Sequence, residues 1–214
     1  MTITPDEPAG STAGLLLERA DAAAAAAPEQ AVALYRELLS AIPDHTECRL
    51  RLARLLERRG DLDDAVRTLS TGIRVTPGEP ELYLLRGMVL GRLRRYPEAE
   101  ADLRAVLRDH PLNGAAHYEL GQVLWRKGLA ADAATHFTKS LEYDPQNGRA
   151  FYYLAEALNL MGDLKGANEA LERALEATPR EGKAYHLRGR VLDRLGRPEE
   201  ARHMYQRSRE LQDL

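Results

Sequence analysis

The sequence predicts an all-α solenoid of six helical hairpins, and three observations predict it. Pro43, Pro77, Pro111, Pro145 and Pro179 recur every 34 residues without insertion or deletion. Ala31, Ala65, Ala99, Ala133 and Ala167 stand twelve residues before them, and Ala201 continues the series where the last proline is missing. Within each period, apolar residues return at three- and four-residue spacing and are then punctuated, the pattern of helices packed on one face. No stretch alternates apolar and polar residues between turn signals, so no sheet is expected.

Laid on one another, the periods begin near Thr12, Thr46, Pro80, Gly114, Gly148 and Gly182, giving repeats near residues 12–45, 46–79, 80–113, 114–147, 148–181 and 182–214. Residues 1–11, rich in Pro, Thr, Gly and acid, are expected to form a flexible tail. In the first helix of each unit the eighth position is small: Ala53, Gly87, Gly121, Ala155 and Gly189. The eleventh is Leu56, Leu90, Leu124, Leu158 and Leu192. The first unit is degenerate, with Arg19 at the small position and an alanine run from Ala22 to Ala27, which sets its first helix out of register by a residue.

Gly60, Gly128, Gly162 and Gly196 stand where the first helix ends and a left-handed residue is needed. Asp61 and Asp163 then suit the cap of the second helix, and Pro28, Pro97 and Pro198 its first turn, where a missing N–H is harmless. The second helix carries the alanine at position twenty and a large residue at twenty-four: Tyr35, Leu69, Leu103, Phe137, Leu171 and Tyr205. Small against large lets two helices approach closely and interdigitate. Position twenty-eight reads Leu39, Ile73, Leu107, Leu141 and Leu175 and then Arg209, as expected where no further hairpin follows.

Composition narrows the function classes. The 214 residues are 44% apolar and 29% charged, with a net charge of -3, so no bulk positive field exists to draw in nucleic acid or an anionic membrane. The N-terminus lacks a basic n-region and an apolar h-region, and no stretch has the length of a membrane span. With one cysteine, Cys48, no internal disulfide is available, which favours a reducing, cytoplasmic setting. Richness in Ala, Arg and Leu suggests a bacterial, GC-rich source. There is no phosphate loop, zinc-protease motif, nucleophile elbow, CxxC pair or dinucleotide fingerprint, so no enzyme and no cofactor are expected. None of His45, His110, His117, His136, His186 and His203 forms an i, i+4 pair, so no metal site is expected, and His45 with Cys48 reads as structural.

The stretches from Tyr83 to Pro111 and from His117 to Pro145 resemble tetratricopeptide repeats, and the resemblance covers residues 12–214. Pentatricopeptide and Sel1-like repeats share the hairpin plan, but their longer periods disagree with the constant spacing. The resemblance implies a right-handed superhelix that binds a segment of another protein in its concave groove, lined by positions two, five, nine, twelve and thirteen of each unit. Carried over, the wall includes Leu84, Met88, Arg92, Tyr118, Gln122, Trp125, Arg126, Tyr152, Glu156, Asn159, His186 and Arg190. No unit has lysine at position five, so the two-carboxylate clamp of the chaperone-tail binders is absent.

Aromatics and arginines are the residues enriched at binding hot spots. Tyr118, Trp125 and Tyr152 are therefore expected to form one patch flanked by Arg92 and Arg126, suited to an acidic peptide with apolar anchors. Three classes remain open: a scaffold or adaptor, a self-assembling structural protein whose tail enters a neighbour's groove, and a non-catalytic regulatory subunit of an enzyme complex.

Overall fold

The computed structural model describes residues 9–211, with side-chain surroundings from Ala13 onward. Twelve α-helices and no strand occur among the described residues: α1 (Ala9–Ala26), α2 (Pro28–Ala41), α3 (Thr46–Arg59), α4 (Leu62–Val75), α5 (Pro80–Arg92), α6 (Tyr96–Asp109), α7 (Gly114–Arg126), α8 (Ala130–Tyr143), α9 (Gly148–Met161), α10 (Leu164–Ala177), α11 (Gly182–Arg194) and α12 (Pro198–Glu210). Of the tail expected over residues 1–11, residues 1–8 lie outside the described residues. Ala9 to Ser11 belong to α1, since no proline interrupts the chain from Ala9 to Ala27. In α1 Ala20 is fully buried and Arg19 is exposed, a shift of one position.

Local chemistry sets the helix ends. His45 Nδ1 accepts the Cys48 N–H at 3.2 Å, Asn113 accepts that of Ala116 at 2.9 Å, and Asn147 that of Ala150 at 3.0 Å. These side chains cap α3, α7 and α9. Asp163 caps α10 by accepting the Gly166 N–H. Asp61 stands at the start of α4 without a capping bond; the neighbouring Arg59 guanidinium takes its carboxylate at 2.9 Å instead.

The six alanines at position twenty have no solvent exposure, and Leu69, Leu103, Phe137 and Leu171 at position twenty-four are equally covered. In the hairpins of α7 with α8 and α11 with α12 a small position on the first helix lies against a large ring on the second, so that backbones approach closely. At Gly121 a Cβ would lie 2.8 Å from the Phe137 ring, and at Gly189 2.5 Å from that of Tyr205.

The chain divides into two compact units, one reaching to Asp102 and the other starting at Leu103, with the boundary inside α6. In the first unit α3 packs on α4 and α4 on α5. Its interior holds an ion pair the sequence pattern did not announce: Arg86 donates from Nε and Nη2 to the two oxygens of Asp102, both at 2.7 Å, and from Nη1 to Ser70 at 3.0 Å. Arg49, also buried, donates to the carbonyls of Pro43 and Thr68. In the second unit the helices from α7 to α12 pack in chain order, each on the next.

Candidate functional site

The aromatic side chains of the second unit converge on one ring. Tyr153, on α9, lies 5.5 Å from Trp125, 5.4 Å from Tyr152, 6.3 Å from Tyr118 and 5.7 Å from Phe137, centroid to centroid. It stacks on Phe137 and meets the other three edge to face, the arrangements ring quadrupoles favour. The absence of a Cβ at Gly121 lets the Phe137 ring come close to α7, and Phe137 in turn seats Tyr153. The predicted patch of Tyr118, Trp125 and Tyr152 is thus joined through a residue at position six, outside the positions expected to line the groove.

Trp125, Tyr152, Tyr153 and Glu156 wall a cavity of about 220 Å³, with Arg149, Glu181 and Lys183 also in its lining. Tyr152 Oη donates to Glu156 Oε1 at 2.8 Å. The buried side-chain atoms without a hydrogen-bond partner among the described residues are Tyr118 Oη, Trp125 Nε1 and Glu156 Oε2, and they fall on this cluster. Leaving a buried polar group unpaired costs about 1–3 kcal/mol, so Trp125 Nε1 and Glu156 Oε2, on residues that line the cavity, call for a ligand or water. Burial pushes the Tyr118 phenol up to about 12 and raises Tyr152 further with the help of its bond to Glu156. Burial also raises the Glu156 carboxyl, against the pull of Tyr152, Arg190 and Lys183.

The other predicted residues have different surroundings. In the first unit Leu84 and Met88 line a cavity of about 260 Å³ with Arg54, Arg58 and Glu57, while Arg92 pairs with Glu57 at 2.8 Å. In the second unit Asn159 is buried, and its backbone and side-chain oxygens both accept from Arg194, which makes it a fastener between α9 and α11. His186 leans on Tyr205 of α12, ring centroids 5.4 Å apart, away from the Tyr153 cluster. Tyr118 packs between Phe137 and Tyr153. Gln122 is half-buried; Arg126 and Arg190 are exposed.

The structure also joins two histidines that sequence spacing had treated as scattered. Nδ1 of His117 lies 2.9 Å from Nδ1 of His136, and His117 Nε2 lies 3.0 Å from the Pro111 carbonyl oxygen.

Comparison with known proteins bears on the fold. Models described as tetratricopeptide repeat match residues 17–89 with 124–189, residues 84–142 and residues 182–212. A stretch of 86 residues is 34% identical to the protein O-mannosyl-transferase Tmtc1 of Drosophila melanogaster, covering 38% of this chain and 10% of that protein. Among solved structures, PilW, a type IV pilus biogenesis factor, aligns with a TM-score of 0.80 at 22% identity over 90% of each chain. MamA from Desulfovibrio magneticus aligns at 0.72 and 24% identity, over 78% of this chain and 94% of its own. YrrB, described as having an unusual peptide-binding site, aligns at 0.69 and 20% identity, over 84% and 92%. At these identities the structural likeness speaks for the fold. Among the described residues no helix is long and apolar enough to cross a membrane.

Proposed function

The chain belongs to the tetratricopeptide-repeat family, an all-α solenoid fold, and from that premise we propose that it is a non-catalytic scaffold holding a segment of a partner protein against α7, α9 and α11. The observation that carries this reading is a pair of unpartnered buried atoms, Trp125 Nε1 and Glu156 Oε2, on residues that line the cavity with Tyr152 and Tyr153, with a third, Tyr118 Oη, on a ring packed against Tyr153. A packed core would have paired or excluded such atoms, whereas a site awaiting a ligand leaves donors and acceptors for it. The described peptide-binding site of YrrB, a protein of like fold, agrees with this role. Cys48 is buried and its thiol is pushed up to about 11, mainly by burial, which makes it a poor nucleophile.

The test uses the full chain as bait in an extract of its source cells, with captured proteins identified and their affinities measured. Trp125→Ala with Tyr152→Ala should lower the affinity of a genuine partner by more than 100-fold, since two hot-spot aromatics are each worth about 2 kcal/mol or more. Helix content by circular dichroism should be unchanged. A folded double variant with unchanged affinity would remove this face from consideration.

A further inference from the structure

We propose that the cavity of Trp125, Tyr152, Tyr153 and Glu156 receives a cationic side chain, arginine or lysine, as an anchor of the bound segment. This rests on the groove reading and adds the chemistry of its occupant. It departs from the acidic segment that the arginines of the wall suggested.

Two features of the cavity ask for the same group. Ring faces carry negative quadrupole charge and attract a guanidinium or ammonium within about 6 Å. Three rings, Trp125, Tyr152 and Tyr153, line this one space. The second feature is Glu156. One of its oxygens already accepts from Tyr152, and the other is buried and accepts from nothing among the described residues. A neutral hydroxyl or amide would satisfy that oxygen but gain little from the rings. A carboxylate would set acceptor against acceptor. A guanidinium or ammonium answers both, donating to Glu156 while its charge faces the rings.

The neighbouring charges are consistent with this. Arg149 and Lys183 in the lining are exposed and are opposed by the exposed Glu181, so solvent weakens their field, while Glu156 acts from a half-buried position. Lys183 and Arg190 lie near enough to favour the ionised form of Glu156, yet neither bonds its free oxygen. Burial still raises this carboxyl overall, and a cation donating to its free oxygen would add to their pull toward the ionised form.

Trp125 is the one tryptophan of the chain, so its fluorescence reports on the cavity directly. The full chain is titrated to millimolar concentration with acetylated, amidated pentapeptides of alanine whose central residue is arginine, lysine, citrulline or glutamate. Arginine and lysine peptides should give a saturable change, with the uncharged citrulline peptide at least tenfold weaker and the glutamate peptide weaker still. Glu156→Gln keeps the shape of the side chain and should lower affinity for the arginine peptide about tenfold, while Glu181→Gln should change it less than threefold. Circular dichroism of both variants checks that they fold. Equal or tighter binding of the citrulline or glutamate peptide, an unaffected Glu156→Gln variant, or no saturable response to the arginine peptide overturns the inference. If Trp125→Ala with Tyr152→Ala abolishes partner capture while these peptides show no preference for a cation, the groove reading stands and the cationic anchor falls.

Discussion

At Arg94 the backbone has a φ of 59°, in the left-handed region that Gly60, Gly128, Gly162 and Gly196 occupy after the first helix of other hairpins. That conformation costs a side chain about 1–2 kcal/mol, against the 0.5–1 kcal/mol that glycine loses through its freer unfolded chain. Arg94→Gly should therefore stabilise the protein by up to about 1 kcal/mol, read as a melting temperature about 2–4 °C higher. A lower melting temperature would mean that the Arg94 side chain makes a contact worth more than its strain. His136 is the second residue with a stability consequence. The Pro111 carbonyl can only accept, so His117 Nε2 carries a proton and donates to it, and the neutral form of His117 then has Nδ1 free to accept from His136 Nδ1–H. Burial, with His117, Lys139 and Arg104 adding to it, lowers the His136 pKa from 6.5 to about 4. A depressed histidine pKa means that the unfolded chain takes up the proton first, so this contribution is present above about pH 6.5 and is lost as pH falls toward 4. The melting temperature should fall over that window, and less steeply in His136→Gln. Parallel curves for the two proteins would show that the histidine pair does not set the acid limit.

Within a hairpin, stability depends on one helix having no bulk where the other has much. Gly121→Ala would bring a Cβ to 2.8 Å from a Phe137 ring that has no solvent exposure and stacks on Tyr153. The gain in helix propensity is about 1 kcal/mol, while overpacking of a filled core costs about 1–3 kcal/mol. A net loss of about 1 kcal/mol is expected, together with a shift in Trp125 fluorescence as Tyr153 is displaced; a stabilised variant with wild-type fluorescence would show that the contact is loose. This scale was the most legible in the sequence. The starts of α3, α5, α7, α9 and α11 at Thr46, Pro80, Gly114, Gly148 and Gly182 coincide with the periods drawn from the prolines, because prolines, glycines and caps act on their own neighbours in the chain. The start of α1 was not legible, since the run of small residues after Ala9 has no stop signal and repeats no other unit. Nor was the Arg86–Asp102 pair, whose partners are sixteen residues apart and follow no helical spacing.

For the molecule as a whole, period and composition revealed the fold but only part of the candidate site. Trp125, Tyr152 and Glu156 were legible because position within a repeat indicates which face of a helix a residue occupies. Tyr153 was not, because its role comes from four rings on α7, α8 and α9 meeting it at once. The same dependence on neighbours governs the face of α12. At position twenty-eight Leu141 and Leu175 are buried, whereas Arg209 is exposed and lines an open groove with His186 and Tyr205. An apolar residue there would extend the uncovered surface beside Tyr205, and contiguous apolar patches promote association. Burying a leucine is worth about 1.5–3 kcal/mol, so two copies meeting through Arg209→Leu would gain about 3–6 kcal/mol relative to the wild-type pair. That predicts self-association strengthened by about 100-fold or more over wild type, seen by light scattering as a mass that rises at lower protein concentration than for the wild-type chain. Arg209→Gln removes the charge without adding apolar surface and should keep the wild-type mass. If the leucine and glutamine variants behave alike at every concentration, the arginine is not what keeps this face from self-association.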